Sequence, residues 1–426
     1  GAPSRCAVCN SRFGVLRHAL KRHWALAWPL ILANAATPFL GLADTAIAGH
    51  LSGAEHLAAV VVGAELVTLI FWSCGFLRMG TTGLIAQASG RDDDAAIWAL
   101  LGNALTLAVG LGLLLILLWL GLGQTLIDVA NPRPEVERLL VNYVQIRIWT
   151  APIVLASYVL SAYFIGLGLT RVALGLALCV NLINVIANYT FAIGFNLDTT
   201  GIALGTVVSE CIGVGIAATV ILRRRGHQHL LSQLQIRWQT IQRLILLHIP
   251  LFFRTLILKT VFMMLTIKAA ALSATDAAAL GILLILLSTA AYTLDGFAFA
   301  SEIETGQSVG AKDRARLDAS LWAGLISTAV ATLLIIIIYL LVAGSLVQML
   351  TIHTTVSARA LTGLPLLYVS LLVLAGSYWL DGVFIGFVQP MAMCVSMLIA
   401  GIAWVAGLTV IGSDSLSALL VAFILF

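Results

Sequence analysis

The chain has 426 residues and a formal net charge of +4; 61% of its residues are hydrophobic and only 10% are charged. An ordinary soluble domain has about 25% charged residues, so this composition excludes a soluble globular protein, and equally a disordered chain or a disulfide scaffold. Long apolar runs such as LGLLLILLWLGLG lack polar alternation, which excludes an outer-membrane β-barrel and predicts an all-α polytopic membrane protein.

Apolar runs long enough to cross a bilayer recur along the whole chain. A spanning helix needs about 20 mostly apolar residues. On this criterion we predict spans at 25–49, 56–79, 95–122, 139–167, 172–195, 200–222, 244–272, 277–304, 317–344, 360–387, 390–412 and 414–426. The last run is too short for a full crossing and is interpreted as a truncated helix, so the sequence predicts twelve transmembrane helices.

A polar, basic segment at 223–243 divides the chain into two parts. It separates a predicted N-terminal lobe at 24–222 from a predicted C-terminal lobe at 244–426, each with six helices, and residues 1–23 form a polar segment before the first span. An even number of spans gives both lobes the same orientation in the membrane.

Short motifs recur between the two lobes. Gln87–Gly90 returns as Gln307–Gly310, and Phe164–Gly166 returns as Phe384–Gly386, with the same offset along the chain. We interpret these matches as an internal duplication. By analogy with other transporters, it predicts two lobes related by a pseudo-twofold axis along the membrane normal, with a cleft between them and alternating access as the mechanism.

Basic residues predict the cytoplasmic face of the membrane. Short cytoplasmic loops carry an excess of Lys and Arg. With twelve spans, fifteen basic residues fall on the face of the N-terminus. Only four fall on the opposite face: Arg133, Arg138, Arg147 and Arg359. We therefore expect a cytoplasmic N-terminus, and this bias explains the positive charge without a nucleic-acid partner.

Asp44 is the principal acidic residue within the spans of the N-terminal lobe. An ionisable side chain inside a span costs about 2.5–3.5 kcal/mol on insertion scales and is a functional candidate by default. The corresponding position of the second lobe is near Leu265, so the fold itself does not require an acid there. We predict that Asp44 binds and releases a coupling proton. The alternative is that Asp44 only satisfies the outer end of span 1.

Three asparagines follow one face of the predicted fifth span. Asn184 and Asn188 are four residues apart, and Asn181 precedes Asn184 by three. They are interpreted as the wall of a polar cavity near Asp44. The alternative is that their amides only hold helices together, for under about 1 kcal/mol each.

The second lobe carries a different polar set. Arg254 and Asp295 lie at similar depths in their spans, which predicts a structural ion pair between them. Asp381 follows Tyr378 by three residues and is a candidate for ion or substrate binding. Pro29 and Pro38 should bend span 1, because each removes a helix hydrogen bond.

Several weaker motifs do not indicate a site. The Gly306–Lys312 segment has the wrong spacing for a phosphate-binding loop, and Asp313 follows it where Ser or Thr is required. Cys6 and Cys9 form a single CxxC without a second ligand pair, so no metal site is expected there. No cofactor is expected either, and transport would be driven by an ion gradient.

Several longer stretches resemble one known family. They are Pro29–Asn34, LGLADTAIAGHL around Asp44, FLRMGTTGLIAQASG at Phe76–Gly90, Tyr292–Phe299 and Leu380–Gly386. Together they are similar to the multidrug and toxic compound extrusion (MATE) family, and within it to the DinF subfamily of bacterial DNA-damage-inducible membrane proteins. The resemblance extends from about Trp24 to Ile411.

The resemblance implies an exporter of two six-helix lobes that exchanges protons, or in some branches sodium ions, for organic cations. Asp44 matches the family's proton-binding acid of span 1, and Asn184 matches an asparagine that accompanies it. Asn188 stands where many relatives have a second acid; because an amide carries no proton at neutral pH, a two-acid relay in this lobe is not expected. Asp381 matches a cation-binding acid of sodium-coupled relatives, which leaves the coupling ion open between H⁺ and Na⁺.

These observations define one hypothesis and its alternatives. The cavity is predicted to include Asn34, Asn181, Asn184, Asn188, Tyr378 and Asp381. We predict a monomeric, proton-coupled antiporter of amphipathic, mostly cationic compounds in the bacterial inner membrane, with small organic substrates and the lipid bilayer as its partners. A sodium-coupled antiporter is one alternative. A flippase of lipids or lipid-linked glycans, using Arg254 and Lys259 to bind phosphate, is another. An enzyme is not expected, because no set of catalytic residues lies at one depth.

Overall fold

A computed structural model describes residues 5–51, 53–130, 132–225 and 236–426 of the chain. Within these ranges the side chains of residues 5–13, Thr37, 129–130 and Arg225 are not described. The side chains of Cys6 and Cys9 are therefore outside the described part of the structure, as are residues 226–235 of the predicted linker. The interpretations made of them stay predictions.

The described residues form helices and no strand, as the composition predicts. The α-helices are α1 (Arg5–Gly49), α2 (Ala54–Trp72), α3 (Phe76–Gly90), α4 (Asp94–Ala130), α5 (Pro134–Ile148), α6 (Ala151–Gly166), α7 (Thr170–Tyr189), α8 (Asp198–Arg225), α9 (Trp238–Leu272), α10 (Ala274–Gly310), α11 (Arg314–Leu350), α12 (Thr354–Gly386), α13 (Pro390–Ile411) and α14 (Leu416–Ile424). A π-helical turn at Thr190–Gly194 continues α7.

The apolar helices agree with the predicted spans except in their total number. Ten segments among the described residues are long and apolar enough to cross a membrane, and the pair α5 and α6, bent by 50° at Trp149 and Thr150, makes an eleventh. The predicted twelfth span corresponds to α14, which has 9 residues and is too short to cross a bilayer. The count of twelve is therefore not confirmed.

The internal duplication is visible in the helix boundaries. Helices α10, α11 and α12 repeat the bounds of α2–α3, α4 and α5–α6 with the same offset that separates Gln87 from Gln307. The turns repeat as well: Asp92 and Lys312 both have a φ of 55°, and Gly168 and Val388 have φ values of 73° and 58°. The halves differ where the first is interrupted, between α2 and α3 and between α5 and α6, whereas α10 and α12 run through.

The chain forms two compact units whose boundary lies inside α1. One unit comprises the chain up to Asn34 together with Leu247–Phe426, and the other comprises Ala35–Leu246. This division differs from the predicted lobes, since the first part of α1 packs with the C-terminal half. Gly296, for example, admits no side chain because the main chain of Ile31 lies against it.

Helix α1 also contains the two prolines expected to bend it. The helix runs without interruption through Pro29 and Pro38, which lie on either side of the boundary between the units. The bend at these residues stays a prediction.

Each unit has its own packed interior. In the unit that contains Leu247–Phe426, an apolar cluster joins α9 through α14 and includes Leu265, Leu367 and Trp404. Helices α10 and α12 pack closely there, because Gly382 and Gly386 face the main-chain carbonyls of Ala298 and Glu302.

Candidate functional site

Asp44 is held by the asparagine face of α7. It lies in the last two turns of α1 and is half-buried. Asn188 Nδ2 donates to Asp44 Oδ1 at 2.7 Å and to Asn184 Oδ1 at 3.0 Å. Asn184 and Asn188 are both buried and stack one turn apart, as their spacing predicts. These bonds turn the amide NH₂ of Asn188 toward the carboxylate.

Two hydroxyl groups of α8 complete this polar cluster. Thr206 Oγ1 lies 3.4 Å from Asn188 Nδ2, and Asn184 Nδ2 donates to Ser209 Oγ at 3.1 Å. Each hydroxyl also donates to a carbonyl of its own helix: Thr206 to Ile202 at 3.0 Å and Ser209 to Thr206 at 2.8 Å. Their oxygens therefore face α7 as acceptors. We call Asp44, Asn184, Asn188, Thr206 and Ser209 the Asp44 cluster.

Asn181 lies on the same helix but makes a weaker contact. Its Nδ2 lies 3.5 Å from the carbonyl oxygen of Ala36 in α1. This contact joins α7 to α1 two turns before Asp44. Asn181 therefore ties the two helices together, which is the role that the alternative interpretation assigned to all three asparagines.

Close packing of α7 against α8 depends on glycine at position 205. A Cβ atom there would collide with the Asn188 side chain, and it would lie 2.6 Å from the Asn188 nitrogen and 2.8 Å from the Ala187 carbonyl carbon. Gly201 faces the main chain of Ala192 in the same way. Small residues allow two helix backbones to approach closely in a membrane, and here they bring Thr206 within reach of Asn188.

A Gly205→Ala variant should separate α7 from α8. We expect a loss of about 1–3 kcal/mol in the free energy of unfolding, as for other overpacked interiors, because main-chain atoms cannot yield locally. A Cβ atom added at Gly215 of the same helix would meet no heavy atom within 4 Å. Gly215→Ala is therefore the control and should stabilise by about 0.5–1 kcal/mol. Unfolding in a denaturing detergent measures both, and equal effects would contradict this account of the packing.

An ion pair that the sequence analysis missed lies in the same unit. Arg147 of α5 is buried and donates from Nη1 and Nη2 to the two carboxylate oxygens of Glu210 in α8, both at 2.8 Å. The Arg147 guanidinium also lies 5.9 Å from the ring centre of Phe71. Sequence reasoning counted Arg147 only as a marker of the outer face. The interpretation of Asp44 as the principal acid of this half was wrong, because Glu210 is also an acid within an apolar span.

The second predicted cluster lies in the other unit. Arg254 of α9 forms an ion pair with Asp381 of α12 through Nη2 and Oδ2. Tyr378 interacts electrostatically with Asp295, Asp381 and Arg254, so these four residues are neighbours. Sequence reasoning paired Arg254 with Asp295 and left Asp381 for ligand binding. The ion pair that the structure gives Arg254 is with Asp381, and the pair with Asp295 stays a prediction.

The six residues of the predicted cavity are divided between the units. Asn34 belongs with Tyr378 and Asp381, and its Nδ2 lies 3.5 Å from the carbonyl oxygen of Tyr292. Asn181, Asn184 and Asn188 belong to the unit of Asp44. Asn184 and Asn188 are in contact with each other, and a single cavity lined by all six residues stays a prediction.

A further buried pair joins the first half of α1 to α10. His23 Nδ1 lies 2.8 Å from Glu304 Oε2, and both side chains are buried. Arg22 donates to Gln307 Oε1 at 2.6 Å, and Arg316 donates to the same oxygen at 3.1 Å. Sequence reasoning counted the two arginines only as markers of the cytoplasmic face.

The two halves place their charges at different positions of the repeat. Arg147 and Asn184 correspond to Leu367 and Trp404 of the second half, and the position of Asp44 is near Leu265. These three residues of the second half belong to one buried apolar cluster. The fold of a half therefore does not need the polar groups. Their presence in the first half makes them candidates for a chemical role.

The Asp44 cluster can bind a proton or a small cation. It offers one carboxylate, amide groups and hydroxyl oxygens on three helices, and the carboxyl group is the acid among them that can bind and release a proton. No group of three or more His, Cys, Asp or Glu side chains placed to hold a metal ion occurs in the described part of the chain.

Comparison with known proteins places the chain among membrane transporters. The MatE family profile matches residues 29–190 and again residues 250–411. The chain is 32% identical to DNA damage-inducible protein F of Escherichia coli K12 over 93% of this chain and 89% of that protein. It is 27% identical to the probable multidrug resistance protein NorM of Acinetobacter baylyi, over 57% of this chain and 56% of NorM.

A solved structure shows the same fold. An outward-facing multidrug resistance MATE family transporter of the MOP superfamily superimposes with a TM-score of 0.86 over 96% of this chain and 93% of that chain, at 17% identity. This likeness confirms the predicted all-α membrane fold with two lobes. One profile matches the two halves in turn, which confirms the internal duplication.

Proposed function

Because this chain belongs to the MatE family, the multidrug and toxic compound extrusion transporters, we propose that it exports amphipathic, mostly cationic organic compounds in exchange for protons. Relatives named as multidrug resistance proteins support an efflux function, and membership of a transporter family supports a role other than that of an enzyme. The Asp44 cluster supports the choice of coupling ion.

The observation that carries the proposal is the bond between Asp44 and Asn188. Asn188 Nδ2 donates to the carboxylate at 2.7 Å. A proton that binds Asp44 removes the negative charge on this acceptor and weakens the charge-assisted bond, so protonation changes how α1 is held to α7. The amides themselves stay neutral, which leaves the carboxyl group as the proton carrier of the cluster.

The transport cycle follows from the charge of this carboxylate. In the outward-facing state Asp44 takes a proton from the periplasm, which weakens the hold on a cationic substrate and lets it leave. In the inward-facing state Asp44 loses the proton to the cytoplasm, and the restored negative charge favours the next cation. Exchange of one proton for one monovalent cation moves no net charge, so the pH difference alone drives it.

Sodium coupling at Asp381 is the first alternative. A cation-binding carboxylate must be available to the ion, whereas Asp381 is paired with the guanidinium of Arg254. The pair supplies the positive charge that a sodium ion would bring. This contact argues against sodium coupling at Asp381, and the coupling proton is proposed at Asp44.

A flippase of lipids or lipid-linked glycans is less well supported. It would need Arg254 and Lys259 available to bind phosphate. Arg254 is bound to Asp381, and Lys259 has an interaction partner as well. We also propose that the protein works as a monomer in the bacterial inner membrane with its N-terminus in the cytoplasm.

Separate ion gradients test the proposal directly. We expect proteoliposomes that contain the protein to move ethidium, a monovalent organic cation, when a pH difference is imposed without a sodium gradient. A sodium gradient at equal pH should drive no movement above that of protein-free liposomes. Sodium-driven movement with no response to pH would overturn proton coupling and favour the alternative.

A further inference from the structure

The Asp44 cluster and the Arg147–Glu210 pair are parts of one network. Thr206 and Glu210 are one turn apart on the same face of α8. Thr206 contacts Asn188, which binds Asp44, and Glu210 binds Arg147. The cluster and the ion pair therefore adjoin along α8.

The charges of this network also act on one another. Arg147 interacts electrostatically with Asp44 as well as with Glu210. Tyr143, buried in α5 one turn before Arg147, interacts with Asp44, Arg147 and Glu210 alike. One guanidinium thus lies within electrostatic reach of two carboxyl groups.

We propose that Glu210, bound to Arg147, sets the proton affinity of Asp44, so that the three side chains act as one charge unit that a single proton neutralises. With both carboxyls ionised the triad has a net charge of −1 and attracts a monovalent organic cation. When a proton adds to a carboxylate oxygen of Asp44 the net charge is zero, and the cation is released. The inference rests on the proposed proton-coupled export and extends it to the charge balance of the same site.

The position of Arg147 in α5 favours its positive charge. It lies in the last turn of α5, where the negative end of the helix dipole favours a cation. The bent junction between α5 and α6 follows directly, and the Thr150 hydroxyl donates to the Arg147 carbonyl at 2.7 Å. The second half has Leu367 at this position within a continuous helix, so both the bend and the charge belong to the first half.

Other titratable and charged groups face the triad. Around Glu210 they are Arg147 and Tyr143 of α5, Tyr158 of α6 and Cys211 of α8. Around Asp44 they are Arg147 and Tyr143. Cys74, just before α3, and Arg78, within α3, act on Tyr158. Arg78 is a further cation of this neighbourhood. Tyrosine and cysteine side chains are ordinarily uncharged at neutral pH. The pH dependence of the network therefore comes from Asp44 and from the charges that act on it.

The proposal predicts opposite shifts for two single variants. In Glu210→Gln the guanidinium is left to Asp44 alone and stabilises its ionised form, so the pH of half-maximal ethidium transport should fall by about 1 unit or more. In Arg147→Gln two carboxylates remain without the cation, and the pH of half-maximal transport should rise by a similar amount. The double variant restores a net charge of −1 and should return close to the wild-type midpoint, whereas Glu210→Asp keeps the charge and should shift little.

A second ion pair provides the control. Arg359 Nε donates to Asp276 Oδ1 at 2.6 Å in the other unit. Asp276→Asn should leave the midpoint of the pH profile unchanged. Where a variant yields too little protein for transport, proton release on addition of ethidium to the purified protein in detergent gives the same midpoint.

The outcomes separate this inference from the proposed function. Opposite shifts that cancel in the double variant support the triad. Glu210→Gln and Arg147→Gln profiles with the wild-type midpoint, at reduced protein yield, would show that the pair is only structural and overturn the inference. In that case proton-driven transport that is lost in Asp44→Asn still supports the proposed function, and transport retained in Asp44→Asn overturns both.

Discussion

An Asp44→Asn variant is expected to fold and to export no substrate under a pH gradient. Asparagine has nearly the same shape as aspartate, and its amide oxygen can accept the same hydrogen from Asn188 Nδ2, so the contact between α1 and α7 persists. The amide cannot take a proton at neutral pH. Ethidium efflux from proteoliposomes driven by a pH difference should therefore fall to the rate of protein-free liposomes.

An aspartate outside the helices serves as the matched control for this experiment. Asp414 is exposed in the turn between α13 and α14, and Asp414→Asn should transport at the wild-type rate. Thermal unfolding of the Asp44→Asn variant should be close to that of the wild type. Proton-driven efflux that survives in Asp44→Asn would refute the assignment of Asp44 as the coupling residue.

Asp381→Asn is expected to lower the stability of the second half. Its partner Arg254 is buried, and removal of the carboxylate leaves that guanidinium without the counter-ion to which it is bound. Breaking a fully buried ion pair from one side costs about 3–5 kcal/mol, whereas replacing both partners is often close to neutral. The Asp381 side chain is 35% exposed, so the loss here should be smaller than that. Arg254→Met combined with Asp381→Asn should therefore recover most of the loss.

Unfolding in a denaturing detergent gives the free energies for this cycle. The pair Arg359–Asp276 is the reference, because its arginine is the more exposed partner whereas Arg254 is buried. Asp276→Asn leaves a cation that water can reach and should cost less than about 1 kcal/mol. If the double variant is as unstable as Asp381→Asn, Arg254 and Asp381 do not stabilise each other and the structural interpretation of the pair is wrong. Proton-driven transport by the double variant would show that neither residue carries the coupling ion.

The sequence predicts most of the fold because hydropathy and length determine where a chain crosses a membrane. Ten of the predicted spans correspond to long apolar helical segments of the structure, one of them the pair α2–α3. The offset between the repeated sequence motifs is also the offset between the helix ends of the two halves. The bend between α5 and α6 was not predicted, although Pro152 in the first turn of α6 is a helix-breaking signal in the sequence. The repeat position of Pro152 is Leu372, and α12 is continuous there.

The site was predictable on one helix at a time. The spacing of Asn184 and Asn188 places both amides on one face of α7. The structure confirms this, because the two side chains form a hydrogen bond with each other. Contacts between helices depend on register and rotation, which spacing along one helix does not specify. That is why Arg254 was paired with Asp295, a residue at a similar depth, and not with Asp381.

Glu210 was overlooked for a related reason. Its significance lies in the guanidinium opposite, and Arg147 was counted as a loop residue by the rule that assigns basic residues to membrane faces. An arginine that is paired with a carboxylate can lie within a span. A rule that assigns every basic residue to a loop therefore puts such an arginine at the membrane surface. Listing every acid within an apolar span, without reference to orientation, would have found Glu210.

The apolar counterparts of the Asp44 cluster limit how much work the transporter can do. The repeat position of Asp44 is near Leu265, where the sequence has no acidic residue, so the second half adds no proton-binding acid at that position. Under the proposed exchange of one proton for one monovalent cation, the substrate ratio across the membrane cannot exceed the proton ratio. Each pH unit then sustains at most about tenfold accumulation, or about 1.4 kcal/mol per molecule exported. A cell with a small pH difference would gain protection through the speed of export rather than through a steep gradient.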